Sequence, residues 1–332
     1  MGYVWQSAVG QLDLLQQRIP LEKALQDGSL SPAEKNKLQL ALEARQFAEK
    51  KLALKPTDNY TSFVKLDRPY VTYVISAAAP WQLEAYYFSY PFLGQMPYKG
   101  FFNLKQAQQE EQKLKQQGLD TYVRGVSAYS TLGWFKDPIL SSMLLYSDYD
   151  LVNTIIHETV HATLYIKNNA DFNERLAVFL GNKGAELFYL QKEGPSSVTL
   201  EKVRLENQDE QTFSVFISDE LQLLKTWYQN LPLQDRTLEN KKQRIKSIQN
   251  KFLQEVAPRL KSSRRSSFYN KELNNASLLL YKTYSSHLDE FEKLYRMQQS
   301  DFQKFIDVCK KLEKSDDPEL ALKKMVDIPS TH

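Results

Sequence analysis

From about residue 148 to its end, this sequence reads as one helix after another, and that run constrains the fold more than any other feature. Apolar residues recur there every three or four positions. Gly and Pro, the usual interrupters, number only 11 and 13 in 332 residues, so few loops and many helices are expected. Asp148 or Asp150 can cap a helix over 151–167 that ends at Asn168-Asn169. A second helix starts near Asp171, the better N-cap there, and runs to Gly194-Pro195. Further helices follow at about 209–229, 235–256, 270–297 and 299–313, and residues 327–332 read as a loose tail.

The first 147 residues are more mixed. Residues 2–54 read as helices, and Ser31-Pro32-Ala33-Glu34 carries an N-cap, a Pro at N1 and a Glu at N3, which together make a capping box. Residues 70–76, 86–90 and 121–129 are β-branched and aromatic, so they read as strands. A helix from Asn103, its N-cap, to a stop at Gly118 lies between the second and third. The sequence therefore divides into an N-terminal helical segment (1–58), a small sheet with a crossover helix (59–147), a helical hairpin (148–195) and a C-terminal helical region (196–326), expected to form one compact unit. The fold class is α+β and mostly helical, with a small antiparallel or mixed sheet packed on the first helix of the hairpin.

Composition excludes several functions. The formal charge of +3 is too small for a nucleic-acid partner, and charges of both signs are interspersed. Lys261, Arg264 and Arg265 make a short, solvated basic cluster. The single cysteine, Cys309, rules out an internal disulfide and a cysteine metal site, and it reads as a buried thiol in register with Phe302, Phe305 and Leu312. No apolar run reaches the ~18 residues of a membrane span, and the start lacks the basic and apolar regions of a signal peptide. The 19 Tyr and 17 Phe fit either half-buried surfaces, such as a substrate groove, or an aromatic core.

The sharpest chemical feature is His157-Glu158-Thr159-Val160-His161, an HExxH pentapeptide holding two of the four histidines. Residues four apart share a helix face, so both imidazoles can reach one Zn2+. Glu158 is rotated about 100° from His157, beside the metal's water rather than on the metal, where it can act as general base. A catalytic zinc takes three protein ligands and keeps one position open. No third histidine follows at the HExxHxxGxxH spacing, since Lys167 stands there. Glu174 is the best candidate. A climb of ~10 Å from His161 to the turn and a descent of ~7 Å to Glu174 would bring the side chains to similar heights. Glu186 is the fallback. Both roles compete with simpler ones: satisfied core histidines and a solvated surface glutamate.

At these residues the chain resembles a bacterial family of predicted aminopeptidases of the gluzincin type. Gly125 to Phe135 with Asp137-Pro138 is similar to that family's AYSTLGWF-DP signature. Phe172-Asn173-Glu174 with Ala177 resembles its FNE-xx-A segment, and Asn274-Asn275-Ala276 its NNA element. Pro91, Gly94, Tyr98, Gly100 and Phe102 match its Pro-Gly-Tyr-Gly-Phe spacing. The resemblance runs from about residue 3 to 310. It implies a zincin-like fold and a zinc-dependent aminopeptidase acting on peptides. It further implies a lipoprotein signal ending in a Cys just ahead of Tyr3, with Met1-Gly2 as additions. The implied home is the periplasm, with membrane contact only through that lipid. Better-known gluzincins usually place the third Glu further from the second His than it lies here.

Around the metal, the strand from Gly125 to Thr131 is a candidate for pairing with a peptide, with Ala128, Tyr129 and Ser130 in contact with it. It could equally be an ordinary half-buried strand. A donor for the oxyanion could be Tyr281, Tyr284, His287 or Tyr129. Tyr281 is preferred, although Tyr281, Tyr284, Leu288, Phe291 and Tyr295 also form a stripe that fits a core. Asn274 and Asn275 could touch substrate or cap a helix, and Glu84 or Asp137 could bind a free amine. The rival readings are an endopeptidase or cell-wall peptide amidase with the same site, a non-catalytic zinc-binding lipoprotein, and a helical scaffold with a vestigial site.

Overall fold

Local chemistry starts and stops the elements. Ser31 accepts the Glu34 N–H while the Glu34 carboxylate accepts from the Ser31 N–H, so the expected capping box is present. Asn103 caps its helix through Lys105 N, and Gly118 follows it with φ 79°. The computed structural model describes residues 14–90, 94–127, 136–167, 169–262, 267–285, 288–315 and 317–327. In chain order these form β1 (Ile19–Pro20), α1 (Leu21–Gln26), α2 (Pro32–Lys50), β2 (Ser62–Val64), β3 (Thr72–Ala78), β4 (Phe88–Tyr90), β5 (Gly94–Met96) and β6 (Tyr98–Phe101). Then come α3 (Leu104–Gln116), β7 (Asp120–Val126), β8 (Ile139–Leu140), α4 (Asp148–Thr163), α5 (Ala170–Glu193), α6 (Val198–Asn230) and α7 (Leu238–Lys251). The last are α8 (Asn275–Ser285), α9 (Asp289–Met297), α10 (Phe302–Lys311) and α11 (Pro318–Asp327). The chain is thus mostly helical with small sheets, an α+β arrangement.

The chain groups into two compact units, each assembled from separated stretches. Unit 1 comprises residues 1–71, 127–200 and 287–332. Its centre is the antiparallel pair of α4 and α5, with α2 against α4. The buried residues of α4, Tyr149, Leu151, Val152, Ile155, Ile156, Thr159 and Val160, recur at helical spacing. On α5, Phe172 and Phe179 reach Phe291 of α9 with ring centres 5.4 and 5.8 Å apart, and Phe179 also meets Phe305 of α10 at 5.4 Å. Cys309 is fully buried on α10, as its register predicts, and burial raises its thiol pKa. A small sheet, β1-β2-β8, completes the unit.

Unit 2 comprises residues 72–126 and 201–286. β3 lies between β6 and β7 and is antiparallel to both, so α3 crosses between two strands that run the same way. An aromatic core lies among α6, α7 and α8: Phe213 of α6, Phe252 just past α7 and Phe268 ahead of α8 are all buried, with centroids 4.9 to 5.8 Å apart.

Several boundaries differ from the sequence reading, each for a local reason. α6 starts at Val198 because Ser197 Oγ accepts the Leu200 N–H at 3.0 Å. The single helix expected over 270–297 is two, α8 and α9. α8 begins late because Asn274 Oδ1 accepts from Ser277 N at 3.0 Å and caps it.

α4 and α5 approach closely because α5 carries glycines where they meet. A Cβ on Gly184 would come within 2.7 Å of Leu52 Cδ1 and 2.8 Å of Ile156 Cγ2. Gly184→Val should therefore lower stability by about 1–3 kcal/mol through overpacking. Gly28→Val, where nothing lies within 4 Å, should leave the thermal midpoint nearly unchanged. Thermal melts of the two variants check this.

Candidate functional site

The site grows from the end of α4. Ser147 is its N-cap, with Oγ accepting from Asp150 N at 3.0 Å. Asp148 and Asp150, the caps expected from sequence, sit instead in the first turn, where their charge complements the helix dipole. The helix stops at Thr163, two residues after His161, rather than continuing to 167. Leu164 turns extended, with φ −145° and ψ 117°, and it and Ile166 are buried.

That early stop is held by Asn173, which is 2% exposed. Its Oδ1 accepts the Ile166 N–H at 2.8 Å, and its Nδ2 donates to the Ile166 carbonyl at 2.7 Å. One side chain thus engages both backbone groups of a buried residue, whose carbonyl also accepts from Asn169 N at 3.3 Å. Asn169, not Asp171, occupies the N-cap position of α5, and Asp171 lies exposed in its first turn. The next residue after Asn173 is Glu174, which this turn directs back toward α4.

His157, His161 and Glu174 converge. Their Nε2 atoms lie 3.1 Å apart, and Glu174 oxygens lie 3.6 Å from His157 Nε2 and 3.4 Å from His161 Nε2. One donor atom from each falls within 4.8 Å of the others. His161 is nearly buried and His157 mostly so, while Glu174 is 46% exposed, so the cluster opens to solvent on the Glu174 side. Burial works against charge on Glu174. Contacts with His157 and His161 outweigh it and hold the carboxyl far below its ordinary pKa. Burial likewise pushes His157 down, but hydrogen bonding to Glu174 and the charges of Glu158 and Glu174 leave its pKa raised. The Ala177 backbone also favours charge on His157.

Behind the cluster, α4 and α5 are pinned by Asn153 Nδ2 donating to Asn182 Oδ1 at 2.8 Å, with Tyr149 OH donating to the same oxygen at 3.3 Å. A Cβ on Gly181 would stand 3.3 Å from His157 Cβ and 3.2 Å from Asn153 Oδ1, a tight contact that would press on both. Glu158 is half-buried one residue along. Its charge is felt by Tyr60, a fully buried phenol held at φ 61° whose pKa is raised by burial first and then by Glu158 and Asp137.

Other expected residues fall elsewhere. Ala128, Tyr129, Ser130 and His287 lie outside the described residues. Glu186 is ion-paired with Lys183 at 4.0 Å, further along α5. Asp137 is buried, its N–H donating to Asn59 Oδ1 at 3.0 Å and its carbonyl accepting from Tyr60 N at 2.6 Å. In unit 2, Asn274 caps α8 and donates Nδ2 to the Thr121 carbonyl at 2.9 Å. Asn275 is fully buried, with its amide on the carbonyls of Ala79, Pro80 and Gln82 and its Oδ1 accepting from Tyr228 OH. The Tyr281 ring packs on Phe213 and Phe268, each 5.4 Å away, so this residue contributes to the core of unit 2.

The sequence reading missed Asn173 as a staple, Gly181 as a clearance and Tyr165 as a neighbour. Tyr165 is 40% exposed, with its ring centre 6.5 Å from that of His161. Its position four residues after His161 was the available signal. Glycines at 181 and 184 inside an otherwise strong helix were another.

The chain belongs to the family described as putative aminopeptidase, which it matches over residues 2–323. That description points to the hydrolysis of peptide bonds. No curated protein and no solved structure matches the chain.

The Asn173 staple gives a direct test. Asn173→Ala leaves the buried Ile166 N–H unpaired, while the Ile166 carbonyl keeps the Asn169 N–H at 3.3 Å, so urea denaturation should show a loss of about 1–3 kcal/mol. Asn173→Asp, which sets a carboxylate oxygen against the Ile166 carbonyl, should not restore it.

Proposed function

We propose that this chain is a zinc-dependent aminopeptidase in which His157, His161 and Glu174 hold the metal and Glu158 is the general base. The observation that carries the reading is the meeting of three donor atoms 3.1, 3.4 and 3.6 Å apart. Ligands ~2.0–2.1 Å from a tetrahedral zinc lie about 3.3–3.4 Å from one another, so these donors fit one ion with small adjustments. The imidazoles support the same reading. Two Nε2 atoms face each other, and His161 Nδ1 is buried without a hydrogen-bond partner. In a neutral ring one nitrogen carries the proton and the other is a free acceptor. If each ring keeps its proton on Nδ1, two Nε2 lone pairs converge, an arrangement that a cation relieves.

The set of two histidines and one glutamate is that of a catalytic rather than a closed structural site. A zinc ion bound there supplies a Lewis acid and lowers the pKa of a water to about 7. The protein's own residues do the rest. Glu158 accepts the proton of that water and can return it to the leaving amine. The Gly181 approach to His157 and the Asn173 staple beside Glu174 position these residues, so the donors are organised before a ligand arrives. Tyr165 places an exposed phenol at the solvent side of His161.

The preference for an aminopeptidase over an endopeptidase or a cell-wall amidase rests on the family description. A zincin-like arrangement, a bacterial periplasmic home and a lipid anchor ahead of Tyr3 belong to the same proposal. Among the described residues no helix is long and apolar enough to cross a membrane.

Metal analysis of the purified protein should find one zinc per chain, lost in His157→Ala and His161→Ala. Glu158→Gln should keep the zinc and lower cleavage of a peptide library by ~10²–10⁴-fold. Peptides with free N-termini should be cut in preference to acetylated ones. Absence of zinc overturns the metal site, zinc without cleavage leaves a non-catalytic metal protein, and cleavage retained in Glu158→Gln removes that residue from its role.

A further inference from the structure

A cleft of about 360 Å³ opens within unit 2, between β7 and the segment leading into α8. Side chains alternate along β7. Thr121 turns toward α3, where its hydroxyl donates to Glu111 at 3.0 Å, so Tyr122 and Arg124 turn to the other face and line the cleft. α8 presents Ser277, Leu280 and Tyr281, which share one helical face. Lys271 and Glu272, both exposed, stand at the rim.

The charges decide what the cleft can hold. Among the described residues, the side chains of Arg124 and Lys271 have neither an ion pair nor a hydrogen bond, and Arg124 Nε is buried without a partner. The acid nearest in sequence to Arg124, Asp120, is already engaged by Lys241 Nζ at 2.5 Å and the Asn275 N–H at 2.9 Å. A desolvated guanidinium donor left unpaired is costly, and its planar fork matches a carboxylate with two parallel N–H···O bonds. Two cations and one acid line the cleft, an excess of one positive charge that suits a monoanion. A dianion would meet Glu272. Tyr122, Leu280 and Tyr281 supply apolar walls, and Phe213 and Phe268 hold the Tyr281 ring in place.

We propose that this cleft binds a monocarboxylate with an aromatic or branched apolar body, its carboxylate on Arg124 and its body against Tyr122, Leu280 and Tyr281. The residues are distinct from the His157–His161–Glu174 cluster, and the proposal does not depend on zinc being bound there.

Isothermal titration calorimetry of the intact chain with N-acetylphenylalanine, its neutral amide and phenyl phosphate tests it. The acid should bind, the amide about tenfold more weakly or worse, and the phosphate more weakly than the acid at a pH where it is a dianion. Arg124→Gln should lose at least about tenfold in affinity, the scale of a charged hydrogen bond. Lys271→Gln, at an exposed position, should lose less while its circular dichroism stays unchanged. A carboxylate can also bind a zinc site, so the titration is repeated with His157→Ala, which should bind the acid unchanged. Equal binding of acid and amide, no binding of the acid, binding lost in His157→Ala, or unaltered binding in both a folded Arg124→Gln and Lys271→Gln would each overturn the assignment. Stronger binding of the phosphate would overturn the choice of a monocarboxylate.

Discussion

The close contact of α4 with α5 is the constraint from which the site follows. Gly181 and Gly184 let the two helices approach until a methyl group at either position would press on α4 side chains. At that separation a histidine on one helix and a glutamate on the other come within reach of a shared point. A wider spacing would leave Glu174 in solvent and the two imidazoles facing each other alone. The apolar face of α4, the Asn153–Asn182 bond and the aromatic rings on the far side of α5 all act to keep that spacing.

The electrostatics of the cluster follow from the same geometry. Two mostly buried imidazoles and a half-exposed carboxylate would each be unfavourable alone in this setting, and together they stabilise one another. The shift of Glu174 to a lower pKa and of His157 to a higher one describes a site biased toward holding positive charge beside a carboxylate. Under the zinc proposal that positive charge is the cation's.

Much of this was legible in the sequence, and the exceptions are informative. HExxH placed two histidines on one face of a helix, and the Ser31 and Asn103 caps were readable because they depend on residues three or fewer apart. Glu174 was reached through a wrong path: the expected climb to residue 167 does not occur, because Asn173 pulls Ile166 out of the helix. A hydrogen bond between a side chain and a backbone seven residues away leaves no periodic trace. Asn274 and Asn275 illustrate the same limit. Their side-chain amides donate to the Thr121 carbonyl on β7 and to the carbonyls just past β3, more than 150 residues earlier, so nothing nearby could distinguish a structural amide from a substrate contact. The late start expected for α6 had a more local cause, since the Ser197 hydroxyl that begins it sits ahead of the pattern the periodicity revealed.

The ring contacts of α5 have a consequence for how the chain is made. Phe172 and Phe179 find their partners in Phe291 and Phe305, which follow every residue of unit 2 in the chain. During synthesis from the N-terminus, the helix that carries Glu174 must wait with its aromatic face uncovered while more than a hundred further residues emerge. The hairpin that carries His157, His161 and Glu174 is local in sequence, yet its support arrives nearly last. A nascent or truncated chain would therefore expose an apolar surface on the helix that carries Glu174 until those rings arrive.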